Sequence, residues 1–157
     1  MNKHRVIEII CVVFLVCFIF LISADDKYSD KTVKEVVNAV SAEVDMEALS
    51  SFKKNKVKEE FSIEFDGIDS FAYYASDSIM TVDELLVIKL KEGVKADDIL
   101  EKIETRVNEK QVLFEGYAPE QSALLKDYQL TQKNGFVFYA VGKDATDALV
   151  TFMSAVR

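Results

Sequence analysis

The chain has one histidine, His4, in the basic start Met1-Asn2-Lys3-His4-Arg5, directly ahead of an apolar stretch. Beyond that stretch the chain holds no histidine general base, no serine–histidine triad and no histidine ligand for zinc. The only two cysteines, Cys11 and Cys17, lie within the apolar stretch, so the rest of the chain has no disulfide and no thiol nucleophile. Two catalytic designs need neither residue: a serine with a lysine base, and a pair of carboxylates for glycoside chemistry. No spacing favours either. Asp66-Gly67-Ile68-Asp69 and Asp97-Asp98 bring carboxylates together, but both lack the alternating oxygen ligands and closing bidentate Glu of a calcium loop. Turn and helix-start roles account for them. The 5 glycines form no phosphate loop and no dinucleotide fingerprint. The expectation is therefore no cofactor, no metal and no catalytic residue.

Aromatic residues offer binding chemistry instead. Tyr73, Tyr74, Phe114 and Tyr117 stand near a helix junction, where such rings form either core or a contact surface for peptide or sugar. Tyr117 lies between Gly116, read as a helix C-cap, and Pro119, read as the first residue of the next helix, which holds it on a short loop. The expected interaction surface is Tyr73, Tyr74, Tyr117 and Pro119. Glu84 opens an otherwise apolar run and is either an edge charge or a polar anchor for Arg106. Lys53, Lys54, Lys56 and Lys58 make a local basic patch, either a solvated face or a contact for anionic lipid or wall polymer.

The elements that position these residues begin with a membrane signal. Ile9 to Ile22 is unbroken apolar sequence, and Val6 to Ile22 would span roughly 25 Å as a helix. Lys3 and Arg5 precede it and Asp25 and Asp26 come after it, which keeps the N-terminus in the cytoplasm and exports the rest. Ile22-Ser23-Ala24 is a poor cleavage site, so retention is expected. Cys11 and Cys17 follow Ile10 and Val16 inside the apolar run, which argues against lipidation. The division is 1–24, a cytoplasmic basic end plus transmembrane anchor or uncleaved signal, and 25–157, an extracytoplasmic domain.

The whole chain of 157 residues carries 19 Lys and Arg against 27 Asp and Glu, a net charge of -8. Removing Lys3, Arg5 and Glu8, which together carry +1, leaves the exported part at -9. This sign excludes a phosphate backbone as partner, so no nucleic acid is expected. Half the chain is hydrophobic, enough for one folded core.

Within the exported part, Thr32-Val33-Lys34-Glu35 reads as a capping box for an amphipathic helix over 31–44. Met46, Leu49 and Phe52 suggest another helical turn or two. Phe61-Ser62-Ile63-Glu64-Phe65 alternates with period two and reads as a short strand, with a short helical stretch the alternative. Phe71 to Ala75 and Glu84 to Leu90 read as an antiparallel pair, followed by a long helix over 96–115 with Asp97 and Asp98 in its first turn. A helix from Pro119 carries Leu124, Leu125 and Tyr128. Leu130 to Gln132 and Phe136 to Val141 flank Lys133-Asn134-Gly135, a strong hairpin signal. Asp144 caps a last helix with an apolar stripe of Ala148, Leu149, Phe152, Met153 and Val156. The predicted fold class is α+β: an antiparallel sheet of about four strands packed against helices, preceded by one N-terminal transmembrane helix.

Asp83-Glu84-Leu85-Leu86-Val87-Ile88-Lys89, then Arg106, Gln111 and Phe114, then Tyr117-Ala118-Pro119-Glu120-Gln121, then Gly135-Phe136-Val137-Phe138-Tyr139-Ala140-Val141 follow in a characteristic order and spacing. By them the chain, from about Phe65 onward, resembles the bacterial domain of unknown function 4358 family. It implies a small exported or lipoprotein-like α+β domain and carries no catalytic residue. The expected function is a non-enzymatic interaction module of the bacterial cell envelope, single-pass in the cell membrane through residues 6–22, with an envelope protein or cell-wall partner. The alternative is an envelope hydrolase using carboxylate or Ser-Lys chemistry, which calls for a cleft carboxylate with a raised pKa. A third reading is a subunit of a membrane complex whose anchor helix makes the contact.

Overall fold

The structure is a computed structural model and describes residues 28–157. The expected anchor therefore lies outside the described residues, among which no helix is long and apolar enough to cross a membrane.

Five strands form one antiparallel sheet: β1 (Ser50–Phe52), β2 (Ile68–Ala75), β3 (Glu84–Leu90), β4 (Gln129–Lys133) and β5 (Phe136–Val141). Their spatial order is β1-β2-β3-β5-β4. Helices α1 (Val33–Val40), α2 (Lys54–Phe61), α3 (Asp97–Glu115), α4 (Pro119–Lys126) and α5 (Ala145–Ala155) cover both faces. The α+β class holds, and the expected four strands become five.

The additional strand, β1, pairs Ser50 to Phe52 with Ala75 to Tyr73 at the sheet edge. Three residues containing two serines show no period, which hid it among the expected helical turns. Met46–Ala48 forms a single 3₁₀ turn before it, and α2 comes next. The strand read at Phe61 to Phe65 is absent. Phe61 ends α2, and Ser62 adopts a left-handed conformation at φ 54° that redirects the chain. Phe61 and Ile63 are both buried in the same core, so one apolar cluster reached through a helix end mimics strand alternation.

Strands β3 and β5 lie at the middle of the sheet and are buried on both faces, which explains their near-continuous apolar runs. On one face Leu86, Ile88, Val137 and Tyr139 pack with Phe61 of α2, Ile103 and Val107 of α3, and Leu125 of α4. On the other face Leu85, Val87, Phe136 and Phe138 pack with Val36 and Val40 of α1 and Ala148 and Phe152 of α5. Phe138 and Phe152 stack with ring centres 4.6 Å apart. The helix after the β2–β3 pair, α3, and the helix after the β4–β5 pair, α5, thus pack on opposite faces.

Local signals explain most boundaries. Thr32 and Glu35 complete the capping box of α1, which is shorter than its expected span. Asn134 and Gly135 take φ of 51° and 84°, the two left-handed positions of a type I′ hairpin. Pro119 opens α4, with Tyr128 beyond its end. Gly116 is the C-cap of α3 but in right-handed conformation, so its glycine freedom is unused. Asp144 occupies the N-cap of α5 without a capping hydrogen bond from its side chain.

Candidate functional site

Glu84 begins β3 on the face that α2 and α3 cover, and helical spacing brings Arg106 and Lys110 of α3 over it. The result is a bidentate ion pair: Arg106 Nη1 donates to Glu84 Oε2 at 2.7 Å, and Nη2 donates to Oε1 at 2.9 Å. Lys110 Nζ reaches Glu84 Oε1 at 2.6 Å, and the Tyr139 hydroxyl donates to Oε2 at 3.1 Å. Glu84 and Arg106 side chains are only 4% and 8% exposed. Of the two readings of Glu84, the anchor for Arg106 is the one realised.

Arg106 also grips α2. Its Nη2 and Nε donate to Glu60 Oε2 at 2.7 and 3.2 Å, and its guanidinium carbon lies 4.2 Å from the centre of the Phe61 ring. Lys56 completes the chain of charges, 2.8 Å from Glu60 Oε1. Burial would raise the Glu84 carboxyl, but Arg106 and Lys110 outweigh it and hold the group below its ordinary range. Burial acts the same way on Glu60, and hydrogen bonds from Lys56 and Arg106 hold it at about 2. Burial raises both Tyr73 and Tyr139, with the Glu84 charge adding to it. Both carboxylates are thus fixed as anions and their donors are committed, which suits bracing of β3, α2 and α3 rather than proton transfer.

The brace lines a cavity of about 380 Å³, walled also by Phe52, Tyr73 and Phe114. A second cavity of about 380 Å³ shares Thr81, Asp83 and Glu84 with it, so the β2–β3 connection divides two hollows at one end of the sheet. That connection is internally bonded. Ser78 N donates to Ser76 Oγ at 3.1 Å, Met80 N to Ser78 Oγ at 3.2 Å and Ser76 N to Asp83 O at 3.0 Å. Gln121 of α4 accepts from Val82 N at 3.0 Å, and Ser50 bonds Asp77. At its tip Ile79 and Met80 are 87% and 56% exposed. A bonded loop holding two apolar side chains in water beside a hollow has the makings of a contact surface.

The four aromatic-region residues read from sequence do not form one surface. Tyr73 is 2% exposed and belongs to the core beside the cavity. Tyr74 projects from the other face of β2 and packs against the α1 and α5 core. Tyr117 is 57% exposed, and its ring lies 5.1 Å from that of Phe114, which lines the cavity. Pro119 is exposed at the start of α4. In the basic patch, Lys58 pairs with Glu64 at 2.9 Å and Lys56 with Glu60, while Lys54 lies over Phe65 at 4.8 Å.

Glu60, Lys110, Ile79 and Met80 escaped the sequence reading, and Lys56 entered it only as part of the basic patch. A signal existed for Lys110, because the apolar stripe Ile99, Ile103, Val107 and Phe114 passes through Arg106 and Lys110 at helical spacing. Among the described residues no group of three or more His, Cys, Asp or Glu is placed to hold a metal ion.

No curated protein and no solved structure matches the chain. A family match does cover residues 42–142, which hold the whole sheet, α2 to α4, the charged brace and the Ile79-Met80 loop, but neither α1 nor α5. With well over half of its length matched, the chain belongs to the family described as Domain of unknown function (DUF4358).

Proposed function

We propose that the chain is a non-enzymatic interaction module of the bacterial envelope, carried on a membrane segment at residues 6–22, with the Ile79-Met80 loop and its cavity as the contact surface. One observation carries this reading: a loop pinned by its own hydrogen bonds and by Gln121 presents exposed Ile79 and Met80 beside a hollow. Its ordering cost is met before a partner arrives, and the apolar side chains gain burial on contact. The charged brace supports it, since Glu60 and Glu84 are both held down, whereas hydrolase chemistry calls for a raised carboxylate. Both lysines of the brace are committed to carboxylates, which likewise weighs against a lysine base.

The test is photo-crosslinking in living cells of the full chain, with the probe at Met80 and a control probe at Asp147 on the exposed side of α5. A discrete adduct at Met80 that the Ile79→Asp change removes, with none at Asp147, is expected. No adduct at Met80, or equal adducts at both positions, refutes the reading.

A further inference from the structure

The chain enters the domain at one end of the sheet, and both cavities open at the other. Tyr28 donates its hydroxyl to Leu90 O at 2.6 Å, and Ser29 N donates to Asn134 O at 2.9 Å. Lys89 Nζ donates to Lys31 O at 2.6 Å and lies 5.2 Å from the centre of the Tyr28 ring. That ring lies so close to Gly135 that a Cβ there would come within 2.6 Å of it. Leu90 ends β3 and Asn134-Gly135 forms the β4–β5 turn, so the first described residues are fastened at the hairpin end. The cavities lie where β3 begins, at Glu84, and where β5 ends, at Val141. Glu84 to Leu90 is six residue steps, about 20 Å along the strand.

We infer that the domain stands on the membrane by its hairpin end and presents the Ile79-Met80 loop away from the bilayer, to a protein rather than to lipid. This rests on the reading of residues 6–22 as a membrane segment. Six residue steps separate Ile22 from Tyr28, at most about 22 Å when fully extended. The headgroup layer takes about 5–8 Å of that length, leaving about 14–17 Å. This is shorter than the sheet, so the tether cannot lift the hairpin end far enough for an inverted domain to set its cavity end on the lipid. Ile79 and Met80 therefore stand in water beyond the bilayer, where apolar side chains of a protein supply the burial that a hydrated sugar polymer does not.

The test uses the full chain in liposomes whose lipid headgroups carry an energy acceptor, with Cys11 and Cys17 replaced by Ala. Donors are attached at Glu92→Cys on the hairpin end, and at Ile79→Cys and Lys143→Cys on the cavity end. Transfer several-fold stronger from position 92 than from 79 and 143 is expected. Equal transfer, or stronger transfer from 79, overturns the orientation. A chain that does not float with the liposomes overturns the membrane reading itself, and the inference with it. Photo-crosslinking from Met80 of the full chain in living cells tests the partner: a protein adduct supports it, and a lipid or sugar-polymer adduct, or none, overturns it.

Discussion

Arg106→Met isolates the worth of the brace. Arg106 makes two hydrogen bonds to Glu84 and two to Glu60. Without them, Glu84 remains 4% exposed and keeps Lys110 and the hydroxyls of Tyr139 and Tyr73. Glu60 keeps Lys56 and, at 29% side-chain exposure, can turn to water. The cost therefore falls mainly on Glu84, and removing one partner of a buried ion pair costs about 3–5 kcal/mol. For a domain of this size that lowers the thermal midpoint by about 10–20 °C. Glu84→Leu should cost less, because Arg106 retains Glu60 and the Phe61 ring. The double change Arg106→Met plus Glu84→Leu removes both buried charges, so it should be more stable than Arg106→Met alone by about 2 kcal/mol. The assay is thermal unfolding of the full chain in detergent followed by circular dichroism. An Arg106→Met midpoint within about 1 kcal/mol of the parent, or a double variant as unstable as the two single costs added, would refute the reasoning.

Acid should weaken the same brace. Glu60 is held at about 2 against an ordinary 4.5, and Glu84 is shifted in the same direction, so both bind protons more readily when unfolded. Their contribution is present above about pH 4.5 and is lost as pH falls toward 2, and Glu60→Gln should flatten part of that decline in a midpoint-against-pH series. Gly135→Ala meets both a φ of 84° and the Tyr28 ring, and should cost more than about 1 kcal/mol. Measured in a Tyr28→Ala background, its cost should fall to the backbone share alone, and an undiminished cost counts against the contact. Thr32→Ala should cost about 1 kcal/mol through the capping box of α1, whereas Asp144→Ala, whose side chain makes no cap bond, should stay within about 0.5 kcal/mol. Equal losses in denaturant unfolding would contradict the assigned caps.

Local chemistry made much of the fold legible in the sequence. The Asn134-Gly135 turn, the capping box at Thr32, Pro119 at a helix start and the stripe of α5 each carry their signal within a few residues. The buried strands were legible too, since burial on both faces leaves continuous apolar runs in β3 and β5. β1 was not, because its three residues owe their conformation to pairing with Tyr73 to Ala75 across the sheet. Of the site, Glu84 and Arg106 stood out as charges in apolar surroundings. Glu60 and Lys56 lie in a charge-rich helix whose composition resembles any solvated face, and only the packing of α2 against α3 turns them inward. Ile79 and Met80 come after a run of small polar residues, and exposure at a loop tip is a property of tertiary placement that no periodicity encodes.

The contact surface is tested most directly by replacing both Ile79 and Met80 with Asp. Stability and partner capture are then read on the same full-length chain in cells, with the photo-probe at Tyr117, whose ring borders the cavity residue Phe114. Both replaced side chains are exposed, so the thermal midpoint should move by no more than the equivalent of about 0.5 kcal/mol, while the adduct seen in the parent chain disappears. An adduct of undiminished yield in the double variant would contradict the account.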